Sequence, residues 1–436
     1  MINKIPKRIS TAIMNSLKGG VVPRIGLGHI AVGREDEINA LLKDIEIIQD
    51  GGSTFRFIVG KFGAGKSFLL QTIRTYALDK GFVVIDADLS PERRLVGNNN
   101  QGLATYKELI KNLSTKTKPD GGALNIIIDR WLLNLQNKII SEKSLLPDTE
   151  EFNTEMKKEI YLITTQIEDL VNGFDFAKLL IKYYEASTNS DSETKSNILK
   201  WLRGEYTTKT DAKKELGISI IISDENWYEY IKLITRFVVL TGYNGVLMLI
   251  DELINIYKIP NQIARQYNYE KILTLYNDTL QGKSAYLGII MCGTPTSIED
   301  TRRGVFSYEA LKSRLEDSRF ANDNVRDLMA PIIRLKPLTI EEMFVLMDRL
   351  TDIHAQLYDY ERKVKDGEIQ NFLQVEYNRM GANKQITPRE IIRDFIELLN
   401  TLYQYPEKNL EDLLNFEDVE ETITLDDEDP FSELDF

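Results

Sequence analysis

A chain of 436 residues and 50.1 kDa has room for roughly two to four domains, and 42% hydrophobic with 28% charged residues is the make-up of an ordinary globular protein. No apolar run reaches the roughly 18 residues that span a bilayer, and the N-terminus lacks the apolar core of a secretion signal. One cysteine, Cys292, and two histidines, His29 and His354, exclude an intramolecular disulfide, a cysteine-based zinc site and a His-rich metal centre, so a cytoplasmic protein without membrane contact is predicted.

The net charge of −13 is concentrated at one end. Residues 411–436 hold twelve acidic residues and no Lys or Arg; the remaining 55 acidic and 54 basic residues nearly cancel. Residues 1–34 hold six basic residues (Lys4, Lys7, Arg8, Lys18, Arg24, Arg34) and no acidic one, and are expected to form a basic N-terminal arm. In 35–49, Ile38, Leu41, Leu42, Ile45 and Ile48 recur at helical spacing. A strand is expected at Phe55–Val59 after the Asp50-Gly-Gly-Ser53 turn, then a glycine-rich loop, a helix from Ser67 to about Leu78 and a strand at Phe82–Asp86. That order is a parallel βαβ unit, so the fold class is α/β, a phosphate-loop parallel sheet sandwiched by helices. Its first part is placed at 35–96. Residues 97–222, helical in pattern and rich in Lys, Glu, Leu and Asn, read as an inserted subdomain. The second part of the core, 223–336, carries strands at Gly245–Ile250 and Tyr286–Met291. Residues 337–410 read as a helical lid, opened by the capping box Thr339/Glu342 and continued by a second, Thr387/Glu390 with Pro388 at the first helical position. The tail, 411–436, is too acidic to pack and is expected to be mobile. It also carries Leu413, Leu414, Phe416, Leu425, Phe431, Leu434 and Phe436. Either it solubilises the protein, or it docks on a basic, partly apolar groove of a partner or of a DNA-facing side.

Gly60-Lys-Phe-Gly-Ala-Gly-Lys-Ser67 fits the pattern G-x-x-x-x-G-K-[ST] between an apolar strand and a helix. Glycines let backbone N–H groups turn onto phosphates, and the helix N-terminus adds positive potential. Gly60, Phe62, Gly63, Ala64, Gly65, Lys66, Ser67 and Phe68 are therefore the expected ATP-binding set, with Lys66 reaching the β- and γ-phosphates and the Ser67 hydroxyl binding Mg²⁺. Val246-Leu-Met-Leu-Ile-Asp-Glu252 supplies a buried strand that delivers Asp251 to the metal and Glu252 as the base that activates water. The 185 residues from Lys66 to Asp251 are long for a minimal nucleotide-binding core, which is why an insertion is inferred. Leu287-Gly-Ile-Ile-Met-Cys-Gly-Thr294 is a further buried strand, and its terminal Thr294 either approaches the γ-phosphate or caps the helix that Pro295 begins. Arg314, in Ala310-Leu-Lys-Ser-Arg-Leu315, is a candidate for completing a neighbouring subunit's site in trans. Arg302, Arg303 and Arg319 compete with it, and a surface ion pair is the alternative. Arg389, in the first turn of the helix that Thr387 caps, either senses phosphate or lies at the surface.

These segments, in this order, resemble the AAA+ ATPases, above all their replication-initiator and STAND-like branch. Within that likeness Ile30-Ala-Val-Gly-Arg-Glu35 resembles the segment that contacts adenine (Ile30, Val32, Gly33, Arg34), Ser313-Arg314 the arginine finger and Arg389 the second sensor. The chain further resembles the ATP-binding proteins of BREX-type phage-defence systems, the BrxD-like group. The likeness rests on Gly20-Val-Val-Pro-Arg-Ile-Gly-Leu27, Gly60–Phe68, Thr115-Lys-Thr-Lys-Pro119, Trp201-Leu-Arg-Gly-Glu205, Asp251-Glu-Leu-Ile-Asn255, Asn268-Tyr-Glu270 and Gly304–Leu315, and it covers about residues 18 to 400. It implies an ATPase of antiviral defence acting as a homo-oligomer beside helicase- or methyltransferase-like proteins of the same system. DNA would be reached through a partner or through the basic N-terminal arm. Two readings follow: an ATPase whose turnover remodels or loads a DNA-associated partner, and an ATP-gated switch or scaffold with little turnover. A nucleic-acid-binding module is a third, resting on the modest basic cluster of 1–34.

Overall fold

A computed structural model of the chain describes residues 5–147, 149–165, 173–316, 326–382 and 387–414. The described residues gather into two units, Arg34–Pro337 and the pair of segments Met1–Gly33 and Leu338–Phe436.

The larger unit is built on one five-stranded sheet: β1 (Thr54–Val59), β2 (Val83–Asp88), β3 (Val246–Asp251), β4 (Leu287–Gly293) and β5 (Ile332–Arg334). All pairings are parallel and the order is β2-β3-β4-β1-β5. Four of the strands and the helices Glu35–Gln49 and Lys66–Asp79 fall where apolar periodicity predicts them, within a residue or two. β5 is the addition. Three residues long, it has no alternation of its own and is recruited by β1, with Phe57 N–H donating to Pro331 O and Leu335 N–H to Val59 O.

Side chains alternate across a strand, so each strand feeds two cores. Ile58, Val84, Leu247, Leu249, Ile290, Cys292 and Ile333 meet Leu41, Ile45 and Ile48 of the first helix and Leu69, Ile73 and Ala77 of the second. Phe55, Phe57, Val83, Ile85, Val246, Met248, Ile289 and Met291 face the other way. There the expected helices of 97–222 (Gln101–Lys111, Leu124–Lys143, Glu150–Thr165, Gly173–Thr188, Ser192–Leu202 and Lys209–Leu216) join Trp227–Leu240 and Gln262–Leu280. These residues share one continuous core with the sheet. Its centre is aromatic: Phe237 meets Trp131 edge-on at 5.2 Å and Phe176 at 5.3 Å, and Phe55 meets Tyr276 at 5.5 Å. Buried Asn268 holds the loop after β2 by accepting from the Leu95 and Val96 N–H groups and donating to Val96 O.

In the smaller unit, residues read from the sequence as part of a basic arm form the helix Lys7–Lys18, which buries Ile13 and Met14 against Ile340–Tyr358 and Pro388–Gln404. Lys7, Arg8 and Lys18 stay exposed on it. Both capping boxes are present. Glu342 N–H donates to the Thr339 hydroxyl while Thr339 N–H donates to the Glu342 carboxylate, and Thr387 N–H donates to the Glu390 carboxylate at 2.6 Å. Of the acidic tail, 411–414 lies in the short helix Leu410–Leu414, and 415–436 lies outside the described residues.

Because the 97–222 helices and the sheet share one core, they should unfold together. Phe237→Ala should cost about 3–5 kcal/mol and lower one common transition seen by both far-UV circular dichroism and tryptophan fluorescence. Two separated transitions would show the insertion to be an independent folding unit.

Candidate nucleotide site

In parallel sheets, ligands gather where strands end at their carboxyl edges. Three of these ends carry the chemistry here. β1 runs into Gly60–Ser67, where Gly63 (φ +73°) and Gly65 (φ +88°) take left-handed conformations that turn backbone N–H groups into the loop, and Gly65 starts the helix at Lys66. A side chain at Gly60 would press on Ala64 Cβ at 3.2 Å. The Lys66 ammonium donates to Gly60 O at 2.9 Å and Lys61 O at 3.0 Å, and the exposed Phe62 ring lies 5.5 Å from it. Phe68 is half-buried in the first turn.

β3 ends in Asp251, whose Oδ2 accepts from the Ser67 hydroxyl at 3.2 Å and whose Oδ1 accepts from the Glu252 N–H at 2.7 Å. Glu252 is exposed, at φ +63°, a left-handed backbone that costs a non-glycine residue about 1 kcal/mol or more and concentrates at functional positions. β4 lies between β1 and β3, so the residue that follows it emerges between the loop and Asp251. That residue is Thr294, buried, with its hydroxyl accepting from Ser297 N–H at 3.2 Å as the cap of Pro295–Glu299. The capping alternative is thus present, and the hydroxyl hydrogen is still available for donation.

Two features escape sequence reasoning. Asp88 closes β2 directly opposite Asp251 in the strand register. Partial burial and then the Asp251 charge push its pKa up, and Arg93 opposes them. Asp251 is raised too, by burial first, against the Glu252 N–H bond that lowers it. The signal for Asp88 is available in hindsight: Val83–Asp88, like Val246–Asp251, is an apolar strand closed by Asp. The second feature is Arg34. Its buried guanidinium donates to Ala64 O at 3.0 Å and Lys336 O at 2.9 Å, so this residue of the adenine-like segment buttresses the phosphate loop.

Among the candidate trans-acting arginines, Arg303 is engaged within its own chain: its guanidinium donates to Tyr257 O and Ile259 O and lies over the Tyr257 ring. Arg302 and Arg314 are exposed, Arg314 donating back to Ala310 O on its own helix, and Arg319 lies outside the described residues. Ile30, Val32, Gly33 and Arg389 belong to the smaller unit. There Ile30 is buried, Gly33 is left-handed and lies where a Cβ would strike the Glu342 carboxyl, and Arg349 donates to Ala31 O. Cys292 is a buried core thiol whose pKa burial pushes well up.

The residues fit a nucleotide with its cation. Left-handed glycines offer the N–H cradle, and a hydroxyl and a carboxylate already within 3.2 Å of each other can share a hard cation. Among the described residues no three His, Cys, Asp or Glu side chains converge as a metal cage. No helix of the described residues is long and apolar enough to cross a membrane.

A family model for the BREX system ATP-binding proteins BrxC/D matches residues 5–418, nearly the whole chain. No curated protein sequence matches it.

Asp88 and Asp251 face each other as like charges, and a cation shared between them would relieve that repulsion. Asp88→Asn should therefore raise the melting temperature of the nucleotide-free protein by roughly 1–3 °C while increasing severalfold the Mg²⁺ concentration needed for nucleotide binding. Thermal shift with and without Mg²⁺ and nucleotide reads both effects; a change in neither would make Asp88 a bystander.

Proposed function

We propose a function for a chain that belongs to the BREX system ATP-binding protein family BrxC/D, and that is thereby an ATP-binding component of a BREX defence system: it hydrolyses ATP to ADP and phosphate and couples turnover to remodelling or loading of DNA-associated partners. The observation that carries the catalytic part is the 3.2 Å contact between Ser67 and Asp251, which joins the phosphate loop to the end of β3 with Glu252 next in the chain.

In this reading the loop N–H groups and Lys66 bind the β- and γ-phosphates, and Ser67 and Asp251 hold Mg²⁺. Bound there, the cation would neutralise charge on the transferring phosphoryl group. Glu252 takes the proton of the attacking water as general base. Its exposed carboxylate follows directly on Asp251, and its strained backbone is the kind of feature a structure keeps for function. Thr294 donates its hydroxyl hydrogen toward the γ-phosphate. Arg314, exposed on a short helix, is available to a neighbouring copy, which makes a homo-oligomer part of the proposal. The resemblance alone supports adenine contact by Ile30, Val32 and Gly33, phosphate sensing by Arg389, and helicase- or methyltransferase-like partners.

Lys66→Ala should abolish ATP binding, because the phosphates lose their cation. Glu252→Gln should keep binding and slow hydrolysis by roughly a hundredfold or more, the scale of removing a general base. Wild-type turnover by Glu252→Gln would exclude Glu252 as the base. No turnover by the wild-type protein, alone, with DNA or with partners, would favour the ATP-gated switch.

Arg314→Ala should leave nucleotide affinity nearly intact and stop turnover, and mixing it with Glu252→Gln should restore part of the activity. Failure of the mixture at every ratio, in oligomers shown to exchange subunits, would assign Arg314 a structural role.

A further inference from the structure

Asn255 closes the stretch Asp251-Glu-Leu-Ile-Asn255 and lies half-buried in the single helical turn Ile254–Tyr257 that follows β3. Its side chain reaches both strand ends that carry the acidic residues. Nδ2 donates to Leu89 O at 2.8 Å, just past β2, and to Glu252 O at 3.3 Å, just past β3. Two hydrogens on one planar nitrogen thus serve two carbonyls. The opposite amide orientation would set Oδ1 against the same two oxygens, so the carbonyls themselves fix which way the group points.

Glu252 is held along its whole backbone. Its N–H donates to Asp251 Oδ1 at 2.7 Å, and its carbonyl accepts from the Asn255 N–H at 3.0 Å as well as from the Asn255 side chain. The next residue, buried Leu253, donates to Cys292 O at 3.1 Å. Together these bonds keep Glu252 at φ +63°, a conformation that a non-glycine residue holds only where its surroundings over-determine it. β3 fixes the peptide before Glu252, so a return of φ to the ordinary value near −60° would swing Cβ by roughly 120° about the N–Cα bond. The direction of the carboxylate is set by that one angle.

We infer that Asn255 is a positioning residue: by joining Glu252 O to Leu89 O it keeps Glu252 in the left-handed conformation that aims its carboxylate at the attacking water. The inference rests on the reading of Glu252 as general base. Of the side chains that restrain Glu252, Asp251 is the one assigned to the cation, whereas Asn255 spends both Nδ2 hydrogens on backbone carbonyls. Its hold is therefore independent of nucleotide and cation. The backbone N–H of residue 255 would make its bond with any side chain there, so only the Nδ2 pair depends on this residue being asparagine. Aspartate has the same shape and no hydrogen to donate.

Kinetics on the full-length protein separate positioning from support. Asn255→Ala should lower kcat by roughly tenfold to a hundredfold, the scale of a slightly misplaced catalytic group. KM and the Kd for Mg-ADP should stay within about twofold of wild type, and the melting temperature within about 3 °C. Asn255→Asp should lose at least as much kcat as Asn255→Ala. In the Glu252→Gln background Asn255→Ala should cost nothing further, because its effect passes through the carboxylate already removed. Equal losses in both backgrounds, or a loss carried by KM, would make Asn255 a structural residue and overturn the proposal. A crystal structure of Asn255→Ala gives a readout that needs no turnover: φ at Glu252 should leave the left-handed region, and Glu252 retained there would overturn the proposal. If the wild-type protein does not turn over ATP, the reading of Glu252 as base falls, and the crystal structure still decides whether Asn255 sets its backbone.

Discussion

The candidate nucleotide site hangs on the position of one strand. β4 lies between β1 and β3, which puts the phosphate loop and the acidic strand end about 10 Å apart at sheet spacing. Neither could close a site across that gap from strand ends alone. The loop closes it by leaving β1, passing the end of the sheet through two left-handed glycines and starting a helix whose second residue, Ser67, lies within hydrogen-bond reach of Asp251. The same interposition places Thr294 between them. Strand order decides which residues meet; the motifs decide what they can do once together.

What holds this arrangement is mostly remote from it. Arg34 ties the phosphate loop to the segment that follows β5, by bridging the Ala64 and Lys336 carbonyls from a buried position. Arg56 does similar work lower in the sheet, with Asp44 on one side and the Met329 and Ala330 carbonyls on the other. Both arginines donate to backbone carbonyls that flank the three-residue β5. A guanidinium with five donors in a fixed plane suits that task, and a lysine would not reproduce it.

Much of this was legible in the sequence because it is local. Helical and strand periodicity placed the helices at 35–49 and from 67 to about 78 and four of the strands, since those patterns are written within a single element. The two capping boxes were readable for the same reason. What was not legible is what depends on pairing. β5 has no pattern until β1 lies beside it. Asp88 gains its meaning only from facing Asp251 in register, and Arg34 from a carbonyl 30 residues on. The helices of 97–222 were recognisable, yet nothing in their own spacing says that Trp131 and Phe176 complete the core under Phe237. An amphipathic helix shows that it has a partner and not which one.

That shared core bears on how a nucleotide-dependent change could reach the insertion. From Asp251 the contacts run outward without a gap: its carbonyl accepts from Leu89 N–H, Leu89 O accepts from the Asn255 side chain, and Arg93 donates to Asp88 O. Arg93 is also 3.7 Å from Glu108 on the helix Gln101–Lys111. Buried Asn268 then ties Leu95 and Val96 to the helix Gln262–Leu280. A closely packed interior does not deform smoothly, and the buried Asn268 clamp fixes the loop that follows β2 against the helix Gln262–Leu280. Among the described residues of the larger unit, the helices of 97–222 are therefore an extension of the sheet's own packing.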